Sequence, residues 1–201
     1  MPDVSCAVLA GGASSRFGRD KALVQLGGQT LIQRVVERLG KVSDDVLIVG
    51  NRLERFADME VRLVEDMVQG AGALGGVYTA VQACRHRRVL CVACDMPFLD
   101  LNLIRYMFLI SPGYDVVMPY VRGEAEPLHA IYSKTCAAAI KAALDAGERR
   151  IISFLGQVRV RDVREDEIRI LDPNLRSFFN LNVPGDLARM EAILEEQKAE
   201  A

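Results

Sequence analysis

Apolar runs alternate with amphipathic stretches from one end of this chain to the other. Six runs read as strands, at 4–10, 45–50, 61–64, 89–93, 115–119 and 128–132. The first four are unbroken β-branched or leucine-rich runs, the pattern of strands buried on both faces. Between them Leu31, Ile32, Val35, Val36 and Leu39 recur at helical spacing, with Thr30 placed to cap the helix and Gly40 to end it. Leu74, Val77, Tyr78 and Val81 keep the same spacing, as do Leu103, Ile104, Met107 and Phe108 after Asp100. Further on, 136–146 is alanine-rich and helical, 158–163 alternates like a half-exposed strand, and 184–197 resembles a closing helix with a polar tail. Strand and helix in alternation predict an α/β fold of three layers, with a mostly parallel sheet between helices and ligands at the carboxyl ends of its strands.

Composition narrows this picture. Half of the 201 residues are apolar, enough for one domain with a substantial core, and no linker, repeat or low-complexity segment divides 1–201. The net charge of -2, with both signs well mixed, argues against broad nucleic-acid binding and leaves phosphate recognition to a local cluster. The start Met1-Pro-Asp lacks a basic leader, and no run approaches the roughly 20 apolar residues of a membrane span, so a cytoplasmic protein is expected. Of the five cysteines, Cys6, Cys84, Cys91 and Cys136 sit inside apolar runs, as reduced core thiols do.

The local cluster follows the first strand. Residues 9–21 read Leu9-Ala-Gly-Gly-Ala-Ser-Ser-Arg16-Phe-Gly-Arg-Asp-Lys21. Paired glycines let a backbone approach a ligand and turn successive N–H groups inward, while Arg16, Arg19 and Lys21 add positive charge. The loop is not a Walker A loop, since no hydroxyl follows the lysine, and it lacks the third glycine of a dinucleotide turn. A triphosphate is the expected guest.

Leu9-Ala-Gly-Gly12, Ser14, Arg16, Gly18 and Asp20-Lys21 resemble the signature of the molybdenum cofactor guanylyltransferases, within the wider nucleotidyltransferase group. Asn51, Glu65-Asp66, Gly72-Ala-Leu-Gly75, Cys94-Asp95-Met-Pro-Phe98 and Asn180-Leu-Asn182 follow in that family's order, so the similarity spans nearly the whole chain. Phe17 stands where methionine is usual, and Val183 and Gly185 stand where a hydroxyl and a carboxylate usually follow the second asparagine. The resemblance implies a Rossmann-like nucleotidyltransferase (GT-A-like) fold. It also implies transfer of GMP from GTP to the terminal phosphate of molybdopterin carrying molybdenum, with release of pyrophosphate. A pterin cytidylyltransferase and a nucleotide-binding or cofactor-carrier module without turnover are the alternatives.

On this reading Arg16, Lys21 and Asp95 are catalytic, with Asp95 also the ligand of Mg²⁺. Leu9, Ala10, Gly11, Gly12, Lys21, Asn51, Asp66, Asp95, Asn180 and Asn182 bind substrate. GTP and molybdopterin are the expected small-molecule partners of a monomer, and other cofactor-biosynthesis proteins and recipient molybdoenzymes the expected protein ones. From the residues alone, Asp95 at a strand end is either a cation ligand or a cap before Pro97, and Asp66 either reads a guanine edge or caps the loop before Gly70. Arg149-Arg150 either meets an anionic acceptor or is a solvated helix end. Two motifs mislead. Gly70-Ala-Gly72-Ala-Leu-Gly75 satisfies a dinucleotide fingerprint but sits in the third strand–helix unit, where it suits close approach of backbone to a base. Cys91 and Cys94, three apart on a strand, point to opposite faces and do not suit zinc.

Overall fold

Unbroken apolar runs belong where both faces of a sheet are covered, and the computed structural model, which describes residues 3–11 and 20–199, places them there. In chain order the elements are β1 (Val4–Leu9), the short pair β2 (Gln25–Leu26) and β3 (Gln29–Thr30), α1 (Leu31–Gly40), β4 (Val46–Gly50), β5 (Arg62–Glu65), α2 (Gly72–Ala83), β6 (Arg88–Ala93) and α3 (Leu101–Ile110). They continue with β7 (Val116–Val121), β8 (Glu124–Ala125), β9 (His129–Ser133), α4 (Ala137–Asp145), β10 (Val160–Val163), α5 (Glu165–Leu171) and α6 (Pro184–Ala199). The main sheet runs β10-β7-β9-β6-β1-β4-β5, with β8 paired to β7.

β1 lies inside the sheet, parallel to β4 on one side and β6 on the other, and every one of its residues is buried. Its side chains alternate between two apolar layers. Val8, with Ile48 and Leu90, packs under α1 and α3, while Ala7, with Leu47 and Cys91, packs under α2 and α4. The predicted cap of α1 is present, with Gln33 N–H donating to Thr30 Oγ1, and Gln33 Oε1, not anticipated, accepts in return from Thr30 N–H. Asp100 caps α3 through two backbone N–H groups, of Asn102 and Leu103, each at 2.8 Å.

β9 is the exception to the parallel order, lying antiparallel between β6 and β7. The chain from β7 to β9 holds only the short β8, too little for a crossover, so the strand must return as a hairpin does. The run 61–64, expected to be buried on both faces, forms instead the edge strand β5, where Arg62, Leu63 and Val64 are half-buried and Glu65 is exposed. One edge of that strand has no neighbouring strand among the described residues, and the Arg62 guanidinium reaches over to the Ala83 carbonyl at 2.8 Å. The β2–β3 pair and α5 were not foreseen, being too short to leave a periodic signature. A third apolar cluster of Leu26, Leu31, Phe98, Leu181, Met190 and Leu194 fixes α6 and the segment before it against the β2–β3 pair. Among the described residues no helix is long and apolar enough to cross a membrane.

Asp115 ties the far side of the sheet together. Its backbone donates to the Arg159 carbonyl and accepts from Ser133, and its carboxylate accepts from Arg159 and from the Thr135 hydroxyl. The Arg159 guanidinium, then Thr135 and the Arg159 N–H, hold the Asp115 carboxyl down at about 2. A carboxyl depressed by folding stabilises above its unfolded value of about 3.9, and that contribution is lost as pH falls through the folded value. Asp115→Asn should therefore cost on the order of 1 kcal/mol at pH 7, the upper end for an accessible ion pair. Urea midpoints should show the difference shrinking as pH falls from about 4 towards 2; a constant difference would mean that the charge is irrelevant.

Candidate active site

Adjacent parallel strands end on the same side, so the residues that follow them meet. Gly11 follows β1, Asn51 follows β4, Asp66 follows β5 and Asp95 comes just after β6; with the first turn of α2 they line a cavity of about 540 Å³. Leu9, Ala10 and Lys21 line it too. Gly12 and Arg16, with Ser14, Phe17, Gly18 and Arg19, lie outside the described residues.

Two glycines shape the walls. A Cβ on Gly50 would stand 3.0 Å from the Ala10 carbonyl group, so only glycine lets β4 end this close to the start of the loop. Gly72 opens α2 with φ +62°, a left-handed conformation that side chains other than glycine resist, and so turns the chain along the cavity.

Asp95 and Lys21 form the charged centre. Lys21 Nζ lies 3.2 Å from Asp95 Oδ2, and the two side chains are only 22% and 12% exposed. Burial pushes the Asp95 carboxyl above its ordinary value, and the Lys21 ammonium draws it back in part. The same ammonium donates to Asn182 Oδ1 at 3.3 Å, and Asn182 in turn donates to Asn180 Oδ1 at 2.8 Å. Lys21 is held for this by Asp20, whose carboxylate caps the turn that Lys21 begins. Asn180 and Asn182 also line a second cavity of about 420 Å³, which therefore adjoins the first at the Lys21–Asn182 bond.

Asp66 and Asn51 form the other polar group. Asn51 Nδ2 donates to Asp66 Oδ2 at 2.7 Å, and Gln69 Nε2 donates to Asn51 Oδ1 at 3.3 Å. Asp66 Oδ1 is buried with no hydrogen-bond partner among the described residues. Burial pushes this carboxyl up, opposed by the bond from Asn51. An acceptor left without a donor costs about 1–3 kcal/mol, so a guest that brings an N–H or O–H to it is favoured.

Sequence reasoning missed Gln69 and Arg55. Arg55, in the turn Leu53–Phe56, donates from Nη2 to the Ala10 carbonyl at 3.0 Å and places Nε 3.0 Å from Asp20 Oδ2. It thereby joins the residues on either side of the glycine-rich segment. No local pattern marks it; only proximity in space does. Arg149 is exposed, with its guanidinium on the Glu148 carbonyl, and neither it nor Arg150 lines the two cavities. Cys91 and Cys94 belong to different apolar layers, as their spacing required.

Residues 6–160 match the MobA-like NTP transferase domain. The chain belongs to that family. It is 39% identical over 191 residues to a probable molybdenum cofactor guanylyltransferase of Pelotomaculum thermopropionicum, covering 95% of this chain and 93% of the relative. It is 34% identical to a molybdenum cofactor guanylyltransferase of Desulfosudis oleivorans, covering 97% and 98%. Among solved structures, molybdopterin-guanine dinucleotide biosynthesis protein A from Archaeoglobus fulgidus superposes with a TM-score of 0.84 at 28% identity, over 96% of this chain and 99% of that one. A 2-C-methyl-D-erythritol 4-phosphate cytidylyltransferase from Thermus thermophilus, 19% identical with a TM-score of 0.72 over 96% and 98%, shares the fold. This nucleotidyltransferase fold is the predicted one, a largely parallel sheet between helical layers.

Arg55→Ala should weaken nucleoside triphosphate binding about tenfold, or roughly 1.4 kcal/mol, by freeing Ala10 and Asp20 from each other. Calorimetric titration in magnesium would check this. Wild-type affinity in Arg55→Ala would mean that the contact is only a surface pairing.

Proposed function

We propose that this protein transfers GMP from GTP to the terminal phosphate of molybdopterin. The observation that carries the reading is the Lys21–Asp95–Asn182 cluster at the junction of two cavities, in a chain whose full-length relatives bear the guanylyltransferase name. One cavity takes the nucleotide and the other the acceptor, with the reacting phosphates meeting between them. An oxygen of the acceptor phosphate attacks the α-phosphorus of GTP. The bond from that phosphorus to the α–β bridging oxygen breaks, and pyrophosphate leaves with the electron pair. Such transfers depend on positioning and on neutralising charge.

Lys21 supplies a compact positive charge for the triphosphate and the departing pyrophosphate. Arg16, from the same segment, is assigned the bidentate phosphate grip on the strength of the motif. The donor set suits Mg²⁺: Asp95 is a hard oxygen ligand on the cavity wall, and the described residues hold no cluster of three or more candidate ligands that would make an all-protein cage. Held by Asp95, Mg²⁺ would supply further neutralisation of the phosphate charge. Asp66 and Asn51 are assigned to base and ribose. The unpartnered Oδ1 of Asp66 is an acceptor suited to the N1–H and N2–H₂ edge of guanine, where adenine offers no matching pair of donors.

Release of pyrophosphate from GTP, magnesium and molybdopterin, but not with CTP in place of GTP, tests the reaction. Asp95→Asn should fold and lose turnover by more than about a hundredfold, and Lys21→Ala should lose both affinity and rate. Near-normal pyrophosphate release from both at saturating magnesium would remove the cluster from the chemistry.

Asp66→Ala should reduce GTP affinity about tenfold while leaving weak ATP and CTP binding nearly unchanged. Equal losses for all three would assign Asp66 to ribose, phosphates or loop support instead.

A further inference from the structure

The second cavity holds a carboxylate that the fold does not use. Glu126 lies on its wall, half-buried, and its carboxylate forms no ion pair or side-chain hydrogen bond with the described residues. Burial pushes that carboxyl up, the nearby Glu124 adds to the effect, and Arg122 draws it back in part. The backbone around it is firmly placed. Glu126 N–H donates to the Pro119 carbonyl at 2.9 Å, its own carbonyl accepts from His129 N–H at 3.0 Å, and the Pro127 carbonyl accepts from the Tyr132 hydroxyl at 2.7 Å. The other buried carboxylate of this cavity, Asp186, is already occupied, for its Oδ2 accepts from Asn182 N–H and Val183 N–H at 2.9 Å each. Glu126 is held in position with no hydrogen-bonded partner for its carboxylate among the described residues.

Its surroundings suit a flat heterocycle. Phe178 and Phe179 line the same cavity, and Phe178 is steadied by His129, whose ring lies 4.8 Å away and tilted by 36°. Burial pushes His129 down to about 4, so that this support is a neutral ring at working pH. Glu124, Glu126 and Asp186 share this cavity with Arg122 and with Arg176, which is paired with Glu196, so its charges are mixed, and the Lys21–Asn182 bond, where the cavities adjoin, favours phosphate. A ligand with a phosphate at the Lys21 end and an uncharged donor edge at Glu126 fits this arrangement.

We propose that the second cavity seats the pterin ring of the acceptor and that Glu126 reads its 2-amino-4-oxo edge. This rests on the guanylyl-transfer reading above. The edge offers the ring N3–H and the exocyclic amine side by side, which a carboxylate accepts in parallel, while the ring faces suit phenylalanine. Glu126 is thus a specificity residue for the acceptor, as Asp66 is for the nucleotide. The two heterocycles display the same pair of donors, and each cavity meets that pair with one under-used carboxylate.

The test uses the full chain. Glu126→Ala should raise the KM for molybdopterin about tenfold to a hundredfold, with Glu126→Gln between it and wild type, while the affinity for GTP is unchanged. Ring recognition is read separately, by fluorescence titration with 6-hydroxymethylpterin and with the corresponding lumazine, in which an oxo group replaces the 2-amino group. Wild type should prefer the pterin and Glu126→Ala should lose the preference. An unchanged acceptor KM, or a pterin preference that survives in Glu126→Ala, would overturn the proposal. A wild-type protein that releases no pyrophosphate would overturn the reaction instead, and the two-ring comparison would still decide the role of Glu126.

Discussion

A carboxylate at the end of a buried strand requires a cation, and in this protein that requirement organises the site. Asp95 stands where β6 leaves the core, and Lys21 answers it at 3.2 Å from a turn some distance away in sequence. Taking both charges out of water is costly, and the attraction between them offsets the cost only if other donors and acceptors share the load. Asn182 does so on the lysine, and Asp20 and Arg55 fix the turn that carries it. The ion pair is weak evidence for stability. It is better understood as a charged pair kept in place for a guest with charge of its own.

The sheet makes that arrangement possible by its order. With β1 between β4 and β6, and β5 beyond β4, four successive parallel strands deliver their following residues to one edge. The reversal at β9 changes the character of the other half. It brings Glu126 and Leu128 to the same edge, one lining each cavity, so that a single strand entry lies between the two cavities.

Local signals were readable in the sequence and distant ones were not. Thr30, before an apolar helical face, announced its cap because capping is settled within a few residues. The runs of β1, β4 and β6 announced burial on both faces, and the residues after them announced a shared edge. The run at 61–64 looked the same, yet it became the edge strand β5, because its place depends on whether another strand lies beyond it. The bond from Lys21 to Asn182 crosses 161 positions and has no local correlate. The motif placed both residues in a substrate site without indicating that they touch. Arg55, Gln69 and Glu126 escaped for the same reason: each is an ordinary residue in its own stretch of chain, and its role comes from what the fold brings beside it.

The sharing of one ammonium between Asp95 and Asn182 makes the two cavities thermodynamically linked. A charged guest in the first cavity that draws Lys21 towards itself releases the Asn182 amide, which lines the second cavity, so the free energies of guests in the two cavities are not additive. Linkage is reciprocal: whatever factor the first guest imposes on the second, the second imposes on the first. A lysine bonded to both sides thus couples guests of the two cavities without any rearrangement of the sheet, and a preferred order of binding would follow from local electrostatics alone.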